Sequence, residues 1–340
     1  TERYTMSYAN AKNKNGILEI EGAFGNKQSN GVQHKGMIDY EGQPKFLKLD
    51  DINPEKGVFE ANYNVMYSSV SEAIVSTFVK NMVEDDKFDC VKYEFMKVSR
   101  NGKLTSGTIA DNFLRENEIE EVLASQENAN TQISIDEYAD NIYDVNSETR
   151  LNQLINYAEN LGVKDSKHFF IQQAGFDVLM GNTDRLSNPS NFVFAYNTES
   201  KETRLVNMDY GRCLQTIQWH DMAEANYQPE YLEEDLDDYV KNVFSRNDSI
   251  VSSSKINESI EFLKEHGFEQ FQIDLQQTFL DLDELKNQFE GTGFEKFATV
   301  KIETMKAVLQ SEKIQELITD IGLHAEDFIG IESENNEINI

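Results

Sequence analysis

The sequence is poor in features that would each mark a particular class of protein. It has only two cysteines, Cys90 and Cys213, among 340 residues. Two cysteines leave no disulfide framework and no cysteine-based zinc site. No long apolar run is present, so we expect no membrane-spanning helix, and the polar N-terminus does not have the form of a signal peptide. These absences predict a protein of the reducing cytoplasm.

Positive charge is also scarce. The chain carries 31 Lys and Arg residues against 61 Asp and Glu residues, a formal net charge of -30. Such a surface repels phosphate backbones and anionic lipid headgroups, so we expect no direct nucleic-acid partner and no membrane partner. Hydrophobic residues still make up 39% of the chain, with 21 Phe and 14 Tyr. This content is sufficient for a packed core, and the length suits two lobes.

The first third of the chain has the alternating pattern of β-strands. Residues Gly16–Phe24 alternate between apolar and polar side chains, and Met37–Leu49 predict a hairpin. The glycine-bearing stretch 25–36 lies between them, and it lacks the spacing of a Walker-type phosphate loop. Further predictions are a helix over 70–82 and two strands over 92–98 and 104–112.

The remainder of the chain is predicted to be mainly helical. Apolar residues recur at helical spacing in 151–161, 166–180, 231–240, 256–263, 268–282, 294–309 and 314–321. We therefore expect an α+β protein with a β-rich N-terminal lobe over residues 1–115. An acidic connection follows over residues 116–150, and a helical C-terminal lobe covers residues 151–340.

Polar residues stand at both ends of a predicted hairpin that runs from Asn191 to Asp209. Asp184 and Asn191 come before its first strand, and Asp209-Tyr210-Gly211 ends its second. A hairpin returns its ends to one place, so these side chains can converge. Carboxylate and amide oxygens suit Mg²⁺ and phosphoryl transfer. The same residue types also form ordinary turns, and for this segment alone a capped polar hairpin is an equal alternative.

Two charged residues upstream extend this interpretation. Lys48 lies in a predicted strand near the glycine-bearing stretch, a place from which an ammonium can reach the α- and β-phosphates of a nucleotide. Glu72 lies in the first turn of the predicted helix, where an ion pair with Lys48 would aim that ammonium. The simpler alternatives are a solvated strand lysine and a carboxylate that favours the helix dipole.

The chain order of these parts resembles the protein kinase-like fold, and it is most similar to the HipA-type serine/threonine kinases. Their catalytic loop resembles Gly-Asn-x-Asp-x-His-x-x-Asn-Phe, and here Gly181–Asp184 and Asn191-Phe192 resemble its two halves. The resemblance implies a two-lobed fold with an antiparallel N-terminal sheet. It also implies ATP and Mg²⁺ as cofactors, and a protein serine or threonine hydroxyl as the acceptor.

The resemblance implies a role for each matching residue. Asp184 would accept the proton of the attacking hydroxyl, and Lys48, held by Glu72, would bind the nucleotide phosphates. The metal ligands would be Asn191 and Asp209, with Asn188 as the alternative to Asn191. The remaining nucleotide contacts would come from Ser29, Asn30 and Gly31 over the phosphates and from Asp111 and Phe113 near the adenine.

Three other functions fit the same sequence. The first is a kinase-fold enzyme that acts on a small molecule or transfers another nucleotide-derived group, and the second is a pseudokinase that binds nucleotide without turnover. Leu186 stands where the family motif has His, which leaves the pseudokinase open. The third is an acidic helical interaction protein without a nucleotide site.

Overall fold

The computed structural model describes residues 9–21, 33–52, 68–83, 85–100, 102–120, 145–182, 185, 192–214, 236–244, 249–290 and 295–322. The strands are β1 (Ala9–Lys14), β2 (Ile17–Glu21), β3 (Gln33–Tyr40), β4 (Gln43–Ile52), β5 (Asp89–Cys90), β6 (Tyr93–Arg100), β7 (Lys103–Asp111), β8 (Glu118–Glu120), β9 (Phe192–Asn197), β10 (Thr203–Asn207), β11 (Phe271–Ile273) and β12 (Ile318–Asp320). The helices are α1 (Ser68–Asn81), α2 (Ser147–Asn160), α3 (Ser166–Met180), α4 (Leu236–Phe244), α5 (Ile256–Glu265), α6 (Leu275–Gln288) and α7 (Glu295–Gln310). This content confirms the predicted α+β class, with strands concentrated in the N-terminal part.

Six N-terminal strands close into a barrel in the order β1-β2-β6-β7-β4-β3. The hairpins β1–β2, β3–β4 and β6–β7 are antiparallel, as is the β4–β7 pair. The sequence predicted an antiparallel sheet, which these four pairs form, while β1–β3 and β2–β6 pair in parallel. The reason is that the β1–β2 hairpin lies between β3 and β6 and closes the barrel. Strand β1 was absent from the prediction, and its pairing makes this closure possible.

The barrel interior is a small core of its own. Leu18, Ile38, Leu47, Leu49 and Val98 are fully buried in it. On β4, Leu47 and Leu49 point inward, so Lys48 points to the opposite face because successive strand side chains alternate. Lys48 therefore points away from the barrel interior, towards the elements that pack against the outside of the barrel.

A second and larger core joins α1 to the helical part of the chain. Val70, Ile74, Val75 and Phe78 of α1 are fully buried. Phe78 packs edge-on against Phe176 of α3 at a centroid distance of 6.2 Å. Helix α1 is consequently held between the barrel and the C-terminal helices, and its position depends on both.

The predicted hairpin after α3 is present as β9 and β10. It lies in a four-stranded sheet of order β5-β10-β9-β8. Phe192 pairs with Asn207, so the described ends of the hairpin are adjacent, two residues before Asp209. The turn falls at residues 198–202, as the sequence predicted.

Two predicted helices differ from the structure. Residues 268–282 begin with the strand β11 before α6, and residues 314–321 form a short 3-10 turn and the strand β12. The two strands pair in parallel over three residues each. Strands this short leave no period for sequence analysis to detect. Within the described residues, no helix has both the length and the apolar character that crossing a membrane requires.

Candidate functional site

Lys48 lies between two carboxylates that come from distant parts of the chain. Its Nζ donates to Oε1 of Glu72 at 2.5 Å and to Oδ1 of Asp209 at 3.0 Å. The side chains of Lys48 and Glu72 are 9% and 0% exposed, whereas that of Asp209 is 24% exposed. The cluster is thus closed on the side of α1 and reaches solvent on the side of Asp209.

Glu72 is fixed through both of its oxygens. Thr108 lies opposite Lys48 in the β4–β7 pair, and its Oγ1 donates to Oε2 of Glu72 at 2.6 Å. A buried carboxylate that receives an ammonium at one oxygen and a hydroxyl at the other has little freedom to rotate. The pleat of the barrel and the first turns of α1 therefore set the direction of the Lys48 ammonium.

The charges of this cluster shift one another's pKa values. Burial alone acts to lower the pKa of Lys48, but the nearby carboxylates of Asp209 and Glu72 outweigh it and raise that pKa. Burial acts to raise the pKa of Asp209, but Lys48 and the more distant Lys35 lower it to about 2. Burial is the main cause that raises the pKa of Glu72, with Lys48 opposing it. Asp209 is accordingly an anion at every physiological pH.

The backbone around Asp209 has an unusual conformation. Asp209 has φ of 62°, in the left-handed region that Asp tolerates better than most residues. A Cβ added at Gly211 would lie 2.8 Å from the Cβ of Ser68. Only glycine allows this approach of the loop to the start of α1. The Asp-x-Gly pattern therefore has a structural cause, namely a turn that brings Asp209 to Lys48.

Arg185 ties the loop after α3 to the loop after β10. It is fully buried, lies 3.3 Å from Asp177 of α3 and donates to the carbonyl of Met208 at 2.9 Å. The amide of Leu214 also donates to the carbonyl of Met180 at 2.8 Å. The residue after Asp184 and the residue before Asp209 are thus in direct contact, and the two loops have a shared anchor.

Asp50 attaches the beginning of α1 to the barrel. Its Oδ1 accepts from the amide of Ser69 at 3.2 Å, and its Oδ2 accepts from the hydroxyls of Ser69 and Ser106. Burial raises the pKa of Asp50 to about 7, with the Ser106 and Ser69 hydrogen bonds opposing the rise. A carboxylate at a helix N-terminus satisfies an otherwise unpaired amide. The strand that carries Lys48 therefore also positions the helix that carries Glu72.

The structure brings three of the predicted site residues together: Lys48, Glu72 and Asp209. Asp111 lies elsewhere, with an exposed side chain that pairs with Lys45. Phe113 packs edge-on against Phe46 at a centroid distance of 6.4 Å. The remaining predicted residues lie outside the described part of the chain, and their roles stay predictions: Ser29, Asn30, Gly31, Asp184, Asn188 and Asn191.

Asp111 faces a cavity of about 530 Å³ between α1, β6, β7 and α6. Lys45, Lys80, Asp281 and Glu284 line it as well, whereas Lys48 and Asp209 do not. Its lining carries charges of both signs. A role of Asp111 beside an adenine ring stays a prediction that this geometry does not support.

Two residues near the site, Lys35 and Tyr93, were not predicted from the sequence. Lys35 lies opposite Lys48 in the β3–β4 pair and contributes to the low pKa of Asp209. Tyr93 is buried, and burial and the nearby charge of Glu72 raise the pKa of its hydroxyl. A strand lysine or tyrosine has no distinctive sequence signal. The pairing register of the barrel would have been needed to find either residue.

Asp85, His168 and Glu269 form a second group of ligating side chains, away from Lys48. Their ligand atoms lie within 4.8 Å of one another. Nε2 of His168 is 2.7 Å from Oδ2 of Asp85, so a hydrogen bond already accounts for this proximity.

At the candidate site, Asp209 offers an ionised and partly exposed carboxylate, which is the donor chemistry that Mg²⁺ favours. The described part of the site thus fits a divalent cation.

Neither a protein-family model nor a curated protein sequence matches this chain. Among solved structures, the chain is similar to the crystal structure of the proinflammatory kinase CtkA from Helicobacter pylori. The two are 13% identical, the match covers 85% of this chain and 92% of that one, and the TM-score is 0.45.

Proposed function

We propose that this chain is an ATP- and Mg²⁺-dependent protein serine/threonine kinase of HipA-like type. The observation that supports this most strongly is the contact of the Lys48 ammonium with Glu72 and Asp209. A buried lysine between a helix glutamate and an aspartate at the mouth of the site is suited to a nucleotide phosphate and its metal. The acceptor would be a serine or threonine hydroxyl of a protein in the cytoplasm.

Each site residue would have a separate role in the proposed phosphoryl transfer. Lys48 would bind the α- and β-phosphates, with Glu72 and Thr108 holding its ammonium in position. Asp209 and Asn191 would hold Mg²⁺, which supplies charge neutralisation for the transferred group. Asp184 would orient the acceptor hydroxyl and accept its proton. Such catalysis consists mainly of positioning and charge stabilisation, which accounts for the rigid surroundings of Glu72.

Label transfer from the γ-phosphate of ATP tests this function. The purified chain is incubated with γ-labelled ATP and Mg²⁺, once alone and once with dephosphorylated casein as a protein acceptor. The proposal expects acid-stable label on serine or threonine. Label on an added small molecule only would indicate a small-molecule kinase. ATP binding without transfer would indicate a pseudokinase, and no binding would contradict the nucleotide site.

Asp184→Ala examines the base within the same assay. Loss of a positioned base reduces turnover by about 10²-fold or more while ATP affinity stays nearly unchanged. Asp165→Asn is the matched control, since Asp165 lies near the other end of α3 and is exposed. A variant that loses ATP affinity but keeps its turnover would show that Asp184 has another role.

A further inference from the structure

A second buried lysine contacts the same two segments that Lys48 joins, namely the start of α1 and the loop that follows β10. Lys301 is in the middle of α7 and only 3% exposed. Its Nζ donates to Oγ of Ser71 at 2.5 Å and to the carbonyl of Cys213 at 3.1 Å. It also lies 5.1 Å from the ring centroid of Phe297, one turn earlier on α7. Among the described residues it pairs with no carboxylate, and its partners are neutral.

The two partners of Lys301 belong to the two segments that form the site. Ser71 is the residue before Glu72 on α1. Cys213 is in the turn that follows Asp209, and its amide donates to the carbonyl of Tyr210 at 3.0 Å. Lys48 joins these segments through their carboxylates, and Lys301 joins them through a hydroxyl and a carbonyl. Two lysines therefore connect α1 to the loop that follows β10, each through a different pair of contacts.

The choice of a lysine at this position is costly for the fold. A buried ammonium without a carboxylate loses hydration that neutral partners replace only in part. Most of the other buried positions of α7 are apolar, including Phe297, Ile302 and Met305. An apolar residue at position 301 would fill the same space without that cost. What it would lose is the bridge between α1 and the Asp209 loop.

We propose that Lys301 is a positioning residue that holds α1 and residues 209–214 in one relative position. Through this bridge, helix α7 keeps Glu72 and Asp209 aligned around Lys48. The consequence for turnover rests on the proposed kinase function. The bridge itself is a property of the fold and is measurable without activity.

The experiment compares Lys301→Met, Ser71→Ala, the double variant and the control Lys306→Met. Lys306 is on the same helix and pairs with Asp283 at the surface. Hydrogen exchange is followed in peptides that cover residues 68–75 and 209–214. The proposal expects Lys301→Met to speed exchange in both peptides, because local opening no longer breaks the two hydrogen bonds. Lys306→Met is expected to exchange like the wild type.

Kinetics of label transfer to casein form the second arm. Lys301→Met is expected to lower kcat by about tenfold or more, with KM for ATP nearly unchanged, since small misplacements of catalytic groups are costly. Ser71→Ala is expected to act in the same direction, and the double variant to be no worse than Lys301→Met. The Ser71→Ala arm also covers the case in which Lys301→Met does not fold.

Three results would overturn the proposal. They are unchanged exchange at residues 209–214 in both single variants, unchanged kcat in both, or losses that multiply in the double variant. If the wild type transfers no phosphate at all, the proposed function fails, and the exchange arm still decides whether the bridge exists.

Discussion

Lys48 and Lys301 are two lysines with the same burial and opposite surroundings. They are 7% and 3% exposed, and each joins α1 to the loop that follows β10. The pKa of Lys48 is raised because two carboxylates outweigh its burial. Burial lowers the pKa of Lys301 to about 7, because no carboxylate among its partners offsets the loss of hydration. At neutral pH Lys48 is therefore fully ionised, whereas Lys301 is ionised only in part.

The difference shows that the partners of a buried ammonium, and not its burial alone, decide what its removal does. Removing Lys48 leaves Glu72 buried beside Asp209 without a counter-charge. Removing Lys301 leaves a hydroxyl and a carbonyl, which are neutral. The loss of stability should accordingly be large when Lys48 is removed and small when Lys301 is removed.

The largest effect on stability is expected for Lys48→Met. Breaking a buried ion pair by removing one partner costs about 3–5 kcal/mol, because the other charge stays buried and uncompensated. Urea unfolding at pH 7 measures the loss. A loss below about 1 kcal/mol would show that Glu72 is not held by Lys48.

Lys301→Met should change stability in a way that depends on pH. The unfolded chain keeps a lysine pKa near 10.5, whereas the folded value is about 7. Between these values the Lys301 side chain binds more protons in the unfolded state, so its contribution to the stability of the wild type rises with pH. Methionine has no such dependence. Relative to the wild type, the variant should therefore be most favourable at pH 6.

The size of that trend is on the order of 2 kcal/mol between pH 6 and pH 9. Two nearby groups do not titrate in this window, since burial raises the pKa of Cys213 well above 9 and the pKa of Asp209 is about 2. Urea unfolding of both proteins across the range gives the difference. A difference that does not vary with pH would mean that Lys301 keeps its charge when folded.

Coupling between Lys48 and Glu72 is the next largest effect. A double-mutant cycle with Lys48→Met and Glu72→Gln should be non-additive by about 0.5–3 kcal/mol, with the double variant less damaged than the sum. The reason is that Glu72→Gln removes the buried negative charge that Lys48→Met leaves without a partner. Unfolding free energies of the four proteins provide the measurement, and additive losses would place the two residues in separate interactions.

The smallest effect is expected for Lys306→Met. Lys306 pairs with Asp283, whose side chain is 55% exposed. Pairs that water reaches contribute about 0–1 kcal/mol. The urea midpoint should therefore stay close to that of the wild type. A loss as large as that of Lys48→Met would remove the distinction between a lysine with a buried carboxylate partner and one with an exposed partner.

Much of this fold follows from local sequence patterns. Alternation predicted the hairpin that carries Lys48, and helical spacing predicted the helix that carries Glu72. The Asp-x-Gly pattern marked the end of the second strand of the hairpin at Asp209. Each of these signals is produced within about ten residues of chain, and short-range periodicity is the information that a single sequence holds most clearly.

The parts that sequence did not predict depend on contacts between distant residues. The barrel closes through parallel pairs of β1 and β2, and β11 pairs with β12 over three residues. Lys301 reaches Ser71 across 230 positions of the chain. In the sequence it stands among the apolar residues of an amphipathic helix, where it is indistinguishable from a solvated lysine. Only the packing of α7 against α1 gives it a role.

Binding of ATP with and without Mg²⁺ tests the central claim most directly. Calorimetric titrations compare the wild type with Asp209→Asn, which removes the charge and keeps a residue that tolerates positive φ. Asp165→Asn is the control, because Asp165 also has positive φ, of 55°, and lies outside the site. The account predicts that Mg²⁺ strengthens ATP binding at least about tenfold in the wild type and the control, and not in Asp209→Asn. Equal affinity with and without Mg²⁺ in the wild type would contradict it.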